Sequence, residues 1–305
     1  MNKIPVILDT DIGLDVDDVW ALVFLLCCPE VDIKLILSDT GDTDYSAAIV
    51  CKLLGLAGRS DIPVGIGIPL TTTAKTHLAW LDDYTVSDYA GEVIIDGVGA
   101  MIDEINDSAD VVKIISIGPV PNLAHALQRD PNIVNNSHFI GMHGSLKSGY
   151  QGSPKPHREY NVFAYAQAAQ RVFEAEWPKT ITPLDTCGLV SIRGENFIAL
   201  KQSSQPLVKA VMDNHFGWAK VVDEKMTGRI DLQSQSSTLY DTVAVHLAFS
   251  EAYLSMEDLG VHVTDNGRTL IDDDAKQVRC AMRWHDKTAF EDYVTQRLLA
   301  GPVKI

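Results

Sequence analysis

The pattern of apolar and polar positions predicts strands and helices that alternate along the first two-thirds of the chain. Short apolar runs, typical of buried strands, are followed by longer segments whose apolar residues recur at helical spacing. The predicted strands span residues 5–8, 32–37, 64–66, 111–117 and 179–184, and a further strand ends at 139–141. The predicted helices span residues 17–27, 45–56, 94–105, 122–129 and 163–174. A polar loop that carries aromatic residues is predicted from residue 66 to about Gly91.

This alternation favours a single α/β domain over residues 1–305. The predicted fold class is an open, mostly parallel, Rossmann-like sheet that is flanked by helices. Beyond about Gly188 we expect helices to dominate, with a hairpin turn at residues 265–267. Neither an internal repeat nor a low-complexity linker divides the chain.

Polar residues follow four of the predicted strands, at the edge where sheets of this kind bind their ligands. These residues are Asp9 and Asp11, Asp39 and Asp42, Gly118 and Asn122, and Met142 and His143. We expect the four strand ends to converge on one site.

Composition narrows the classes of partner. With 46% hydrophobic and 22% charged residues, the chain can bury a large core. Its net charge of −16 disfavours nucleic acid and anionic membrane surfaces, because both select clustered Lys and Arg. We find no apolar run of the roughly 18–20 residues that a membrane span needs, and no secretory signal. The five cysteines lack metal-ligand spacing, so we expect buried, reduced thiols and a cytoplasmic protein.

The first predicted strand is followed by a dense acidic cluster, which consists of Asp9, Asp11, Asp15, Asp17 and Asp18. Carboxylates so close together repel one another, and a hard cation such as Ca²⁺, which prefers oxygen ligands, relieves that repulsion. A glycine within the cluster permits a tight turn, so carboxylates on both sides of it can face the same point. The alternative is that the last two aspartates only stabilise the start of the following helix.

Two other metal motifs compete for this segment. An EF-hand loop that starts at Asp9 would need Gly at Leu14 and Glu at Trp20, so that motif fails. A strand that ends in Asp-x-Asp also resembles the nucleophile motif of haloacid-dehalogenase-type phosphotransferases. That motif has Thr or Val where this chain has Gly13, and we find no convincing match to its later Lys and acidic pair.

The cluster resembles the opening signature of the inosine-uridine-preferring nucleoside hydrolase family, Asp-Thr-Asp-Pro-Gly-x-Asp-Asp-x-x-Ala-Leu. Here the match is Asp9-Thr10-Asp11-Ile12-Gly13, followed by Asp17-Asp18-Val19-Trp20-Ala21-Leu22. Ile12 replaces Pro, and two extra residues precede the paired aspartates. Later segments that resemble the family in order are 116–124, 140–144, Glu159-Tyr160-Asn161 and Tyr240-Asp241.

The resemblance implies an open α/β fold around one Ca²⁺. The implied metal ligands are Asp11, Asp18, the backbone carbonyl of Ile117, and Asp241. The implied substrate-binding residues are Asp17, Asp42, Met142, Glu159 and Asn161. Of these, Glu159 and Asn161 would hold ribose, and Asp42 stands where the family usually has Asn. The resemblance also implies a homodimer or homotetramer.

The expected reaction is hydrolysis of the N-glycosidic bond of a ribonucleoside or related riboside, in a nucleoside salvage role. Asp11 would take a proton from a water activated by the metal, and Tyr240 stands where the family has a histidine that could protonate the leaving base. His77, His143 and His157 lie in polar loops and are expected to be surface residues, with the first two as reserve proton donors. The alternatives are a Mg²⁺-dependent phosphohydrolase and a ribose- or nucleoside-binding protein with little catalysis.

Overall fold

The strand β1 (Ile4–Thr10) lies inside the sheet and pairs in parallel with a strand on each side. The structure is a computed structural model that describes residues 3–70, 73–222 and 230–303. The other strands of the described chain are β2 (Val31–Ser38), β3 (Val64–Gly65), β4 (Val93–Ile94), β5 (Val112–Ser116), β6 (Ser137–Met142), β7 (Lys179–Thr182), β8 (Leu254–Val263), β9 (Thr269–Ile271) and β10 (Gln277–Trp284).

Helices cover both faces of this sheet. They are α1 (Asp17–Leu26), α2 (Thr43–Ala57), α3 (Leu78–Leu81), α4 (Gly97–Asp107), α5 (Pro121–Arg129), α6 (Tyr160–Phe163), α7 (Ala166–Glu174), α8 (Gly194–Gln202), α9 (Pro206–Trp218), α10 (Asp241–Leu247) and α11 (Lys287–Ala300). None of the described helices is long and apolar enough to span a bilayer.

The strand order is β4-β3-β2-β1-β5-β6-β7-β10-β8-β9. In this order, each strand from β4 to β10 is parallel to the next one. The strand β8, which follows β10, is antiparallel to both of its neighbours, β10 and β9. Alternate residues of a strand serve opposite faces: Val6 and Leu8 enter one hydrophobic cluster, and Ile7 enters the other. The predicted fold class, a mostly parallel α/β sheet flanked by helices, is therefore confirmed.

The C-terminal region departs most from the sequence prediction, because β8 and β10 are long strands where helices were expected to dominate. These strands carry charged residues on a solvated face, such as Arg279, which pairs with Glu251 and Asp258. Those charges interrupt the apolar runs by which the other strands were recognised. The hairpin turn at 265–267 is present between β8 and β9.

Smaller corrections concern element boundaries. Ile94 belongs to β4, and α4 begins only after Asp96, whose carboxylate caps it by accepting the N–H of Gly99. The helix predicted over 163–174 is divided, because Tyr165 has a non-helical backbone between α6 and α7. The predicted loop up to Gly91 contains α3. All five cysteines are buried and free, in agreement with the expectation of buried thiols.

Asn122, at the start of α5, ties the carboxyl ends of the central strands together. Its side-chain Nδ2 donates to Oδ1 of Asp9 at 2.8 Å and to the carbonyl of Ser38 at 3.0 Å. Its Oδ1 accepts the backbone N–H of Ile68 at 3.0 Å. A fully buried amide thus uses both of its ends to fix the ends of β1 and β2 and the segment that follows β3.

We therefore expect Asn122→Ala to lower the free energy of unfolding by about 2 kcal/mol, because buried polar groups left without a partner cost about 1–3 kcal/mol. Urea denaturation followed by circular dichroism measures this loss. Asn106→Ala is the matched control, since Asn106 also donates to an aspartate, but on the exposed surface. Equal losses for the two variants would contradict the role of Asn122.

Candidate active site

A cavity of about 560 Å³ opens at the carboxyl ends of the parallel strands. The loops after β1, β5 and β6, the segment before α6 and the start of α10 supply its walls. The described residues that line it are Asp11, Leu14, Asp15, Asp17, Asp18, Ile117, Met142, Tyr150, Gln151, His157, Glu159, Tyr160, Asn161, Tyr240 and Asp241. It therefore contains the expected metal-binding residues together with both residues expected to hold ribose.

Three buried carboxylates form the floor of this cavity. Oxygen atoms of Asp17, Asp18 and Asp241 all lie within 4.8 Å of one another. The first two residues start α1 and the third starts α10, and these helices pack against each other. Thr10 Oγ1 donates to Asp18 Oδ1 at 2.5 Å, and Asp17 and Asp241 share a hydrogen bond. Two helix N-termini therefore place their positive ends next to the acidic group.

Capping alone does not explain the aspartates of α1. The N-cap residue is Val16, and no side-chain hydrogen bond caps this helix. Asp17 and Asp18 instead follow the cap and line the cavity.

Asp11 completes the acidic wall. A β-carbon at Gly118 would lie only 2.8 Å from Oδ1 of Asp11, so the glycine leaves room for that carboxyl group beside the end of β5. Removal from water and the neighbouring charge of Asp18 raise the pKa of Asp11 well above its usual range. Asp11 and the floor of the cavity thus belong to one electrostatic cluster.

Burial raises the pKa of every carboxyl group in this cluster. The pKa of Asp9 and of Asp18 rises to about 7, and that of Asp15 rises to about 6. Repulsion from Asp9 and Asp11 adds to burial in raising the pKa of Asp39, and both oxygens of Asp39 lack a hydrogen-bond partner within the described structure. Clustered carboxylate oxygens with unused acceptor capacity fit a hard cation, so these residues could bind a metal ion.

The loop between β1 and α1 is held by donors from other elements. The carbonyl of Leu14 accepts hydrogen bonds from Thr76 Oγ1 at 2.8 Å and Trp218 Nε1 at 3.1 Å. The carbonyl of Asp15 lies 3.0 Å from Nε2 of His77. At Gly13 φ is 131°, and a β-carbon there would lie 2.7 Å from the ring of Tyr45, so the turn requires glycine. These contacts fix the loop that carries the two extra residues of the opening motif.

Glu159 and Asn161 both line the cavity and both hold the backbone around it. The Glu159 carboxylate caps α6 and accepts backbone N–H groups from Asn161 at 2.7 Å and Gly144 at 3.0 Å. Burial nevertheless raises the pKa of Glu159 to about 7. Asn161 Nδ2 donates to the carbonyls of Ile117 and Met142, at 3.0 Å each, so it joins the ends of β5 and β6.

Asp42 has a different environment from the other predicted site residues. Its carboxylate caps α2 by accepting the N–H of Tyr45 at 3.0 Å, and it also pairs with Lys75. That ion pair lowers its pKa. The described lining of the cavity does not include Asp42.

Aromatic side chains also line the cavity. The rings of Tyr150 and Tyr240 meet edge to face with centroids 6.0 Å apart, and the ring of His157 lies 5.8 Å from that of Tyr150. Burial raises the pKa of Tyr240 far above neutrality, so its phenol stays protonated and is a weak acid. The sequence prediction did not place Tyr150 in the site, and the only available signal was its position in the polar loop before Glu159.

His77 and His143 are buried rather than at the surface, which corrects the expectation for both. His77 bonds to Asn214 at 2.7 Å through Nδ1 and supports the Asp15 carbonyl. His143 packs against Phe139 and Phe173, and burial lowers its pKa to about 3. Neither histidine belongs to the described lining of the cavity, so neither is a suitable proton donor there.

Comparisons with known proteins agree with this geometry. The pyrimidine-specific ribonucleoside hydrolase RihA of Escherichia coli O7:K1 is 28% identical over 246 residues, which cover 73% of this chain and 74% of RihA. The plant nucleoside hydrolase PpNRh1 has a similar fold, with a TM-score of 0.82 at 22% identity over 98% of this chain and 100% of that chain. A purine-preferring ribonucleoside hydrolase from Gardnerella vaginalis gives 0.75 at 19% identity, over 97% of this chain and 98% of that chain.

The description of the family model that matches is "inosine-uridine preferring nucleoside hydrolase", and the match spans residues 6–292. The resemblance noted in the opening motif is therefore confirmed along nearly the whole chain. This chain belongs to the inosine-uridine preferring nucleoside hydrolase family and is an N-ribohydrolase, an enzyme that hydrolyses the bond between ribose and a base.

Proposed function

We propose that this enzyme hydrolyses the N-glycosidic bond of a ribonucleoside, or of a closely related riboside, in a Ca²⁺-dependent reaction. The observation that carries the proposal is the buried group of Asp17, Asp18 and Asp241 at the floor of a cavity large enough for a nucleoside. Because buried carboxylates are expensive to desolvate, such a group is expected at a metal or catalytic site.

Asp11, Asp18, Asp241 and the carbonyl of Ile117 would hold the ion, and all four residues line the cavity. Oxygen ligands of this kind suit Ca²⁺. When bound, the ion supplies positive charge that orients a water molecule and lowers its pKa. Asp17 lies in the same carboxylate group and would bind a ribose hydroxyl.

The residues of the chain then have distinct roles. Asp11 accepts a proton from the attacking water, and the C1′–N bond breaks with its electron pair left on the base. Carboxylates around the sugar stabilise the positive charge that develops on the ribosyl group. Glu159, Asn161 and Met142 orient the sugar against the water. Asp42 supports the loop after β2 rather than contacting ribose.

The cellular setting is also part of the proposal. Five free, buried thiols suit a reducing compartment, which supports a cytoplasmic location. There the enzyme would act in nucleoside salvage. Named relatives include a pyrimidine-specific and a purine-preferring hydrolase, so both classes of nucleoside are candidate substrates. A homodimer or homotetramer is the expected assembly, and light scattering of the purified enzyme tests it.

The metal assignment is tested at Asp18. We expect Asp18→Asn to lose bound Ca²⁺ and almost all nucleosidase activity while the protein stays folded, because the amide is isosteric but uncharged. Metal content by mass spectrometry and turnover with and without a chelator measure the two effects. Asp44→Asn, in the exposed first turn of α2, is the matched control and should behave like the wild type. Full activity after exhaustive chelation would refute the metal dependence.

The stability of the metal-free enzyme should decrease as the pH rises. The pKa values of Asp9 and Asp18 are raised to about 7 in the folded protein, whereas an unfolded aspartate titrates near about 3.9. The folded state therefore binds these protons more tightly, and that stabilisation is lost as the pH rises through about 7.

In the presence of a chelator, we expect the unfolding temperature to fall as the pH rises from about 5 to about 8. Excess Ca²⁺ should reverse most of this fall, because it binds the ionised carboxylates. Scanning calorimetry measures both. If the unfolding temperature of the metal-free enzyme rises over this pH range, the carboxylate cluster does not dominate the pH dependence of its stability.

The sugar-binding assignment is tested at Asn161. Asn161→Ala removes an amide that lines the cavity and holds the carbonyls of Ile117 and Met142, so kcat/KM should fall about 10-fold or more. The loss should be similar for purine and pyrimidine ribosides, because ribose is common to both. Asn196→Ala is the control, since Asn196 bonds to Asp292 away from the cavity. A loss confined to one base would reject the assignment.

A further inference from the structure

The aromatic part of the cavity lining, formed by Tyr150, Tyr240 and His157, contains a histidine to which the proposed reaction gives no role. An aromatic base suits this part of the lining, because the rings of Tyr150 and Tyr240 meet there. A departing base gains negative charge, and a hydrogen-bond donor next to it would stabilise that charge. The protonated phenol of Tyr240 is a weak acid, and His77 and His143 lie outside the described lining. His157 belongs to the lining.

Two neighbouring residues, Gly149 and Tyr150, hold the His157 ring in a defined position. Its Nδ1 accepts the backbone N–H of Tyr150 at 3.2 Å, and its ring lies against the Tyr150 ring at an interplanar angle of 34°. A β-carbon at Gly149 would lie 2.7 Å from Cγ of His157, so glycine is what leaves room for the imidazole. The backbone of the histidine is fixed as well, because its N–H donates to Ser145 Oγ at 2.9 Å.

The hydrogen bond at Nδ1 determines the tautomer of the His157 ring. Because Nδ1 accepts a backbone N–H, the neutral imidazole carries its proton on Nε2. In the described chain, the hydrogen bond of this ring is the one at Nδ1, so the Nε2–H remains available to a ligand. The loop thus places an oriented N–H donor in the lining of the cavity.

We propose that the Nε2–H of His157 donates a hydrogen bond to an acceptor atom of the leaving base, which makes His157 a catalytic residue of the N-ribohydrolase reaction. The inference rests on the proposed function and identifies how that site activates its leaving group. The substrates it suits are nucleosides whose base carries a ring nitrogen or a carbonyl oxygen close to the glycosidic nitrogen.

The step balances without proton transfer from the histidine. The water oxygen forms a bond to C1′, the C1′–N bond breaks, and its electron pair stays on the base nitrogen. The proton of the water goes to Asp11, and the released base takes a proton from solvent. The hydrogen bond from Nε2 strengthens as the base becomes anionic, so it stabilises the transition state more than the ground state.

The test measures the hydrolysis of two substrates with different leaving groups by two variants of His157 and one control variant. His157→Phe keeps an aromatic ring but removes the donor, and His157→Gln restores a side-chain N–H near the position of Nε2. We expect His157→Phe to lower kcat/KM for natural nucleosides about 10- to 100-fold, while hydrolysis of 4-nitrophenyl riboside changes less than about 3-fold. Nitrophenolate is a stable leaving group that needs no such donor. His157→Gln should recover part of the nucleoside activity.

His125→Phe, an exposed substitution on α5, is the matched control and should leave both substrates unaffected. Retained hydrolysis of the nitrophenyl riboside shows that each variant is folded and that the sugar end of the site is intact. Equal losses on both substrates, or no loss on nucleosides, would overturn the proposal for His157. Failure of the wild-type enzyme to hydrolyse either riboside would instead overturn the proposed function.

Discussion

The burial of like charges at the end of β1 is the constraint on which the rest of this site depends. Burial raises the pKa of Asp9, Asp11, Asp17 and Asp18, and repulsion from neighbouring aspartates adds to that rise for the last three. Such an arrangement does not stabilise a protein by itself, because desolvated charges of one sign lose more hydration free energy than they gain from contacts within the protein. The helix N-termini of α1 and α10 and the amide of Asn122 offset only part of that loss. A cation and a substrate with several hydroxyl groups would compensate for the rest of the lost hydration free energy.

The parallel topology explains how residues distant in sequence reach one point. Carboxyl ends of adjacent strands lie at the same edge of the sheet, so residues that follow β1, β5 and β6 become neighbours. Two asparagines fix that edge: Asn122 joins the ends of β1 and β2, and Asn161 joins those of β5 and β6. Because both amides are buried and each Nδ2 donates to two acceptors, the edge is held in place before any ligand binds.

The parts of the molecule that could be predicted from sequence are those with a local signal. An apolar strand followed by clustered aspartates indicated both β1 and the acidic wall, and Tyr240-Asp241 could be placed from the family resemblance. By contrast, β8 and β10 carry charges on a solvated face, which obscured their apolar periodicity. Asp42 matched a family position, yet its carboxylate is occupied by a helix cap and Lys75. His157 carries no motif, and its importance depends on the backbone N–H of Tyr150 and the missing β-carbon of Gly149.

The carboxylates and the aromatic rings of the cavity lining are therefore under different constraints. The carboxylates project from strand ends and first turns of helices, where a shift of one residue would break several buried hydrogen bonds. The aromatic part of the lining comes partly from the loop that contains Gly149, Tyr150 and His157, and partly from Tyr240, whose ring meets that of Tyr150. A loop can change its side chains with little effect on the core that supports it. Under the proposed assignments, recognition of the sugar is tied to the fold, whereas His157, the proposed donor to the base, lies on a loop whose side chains can change.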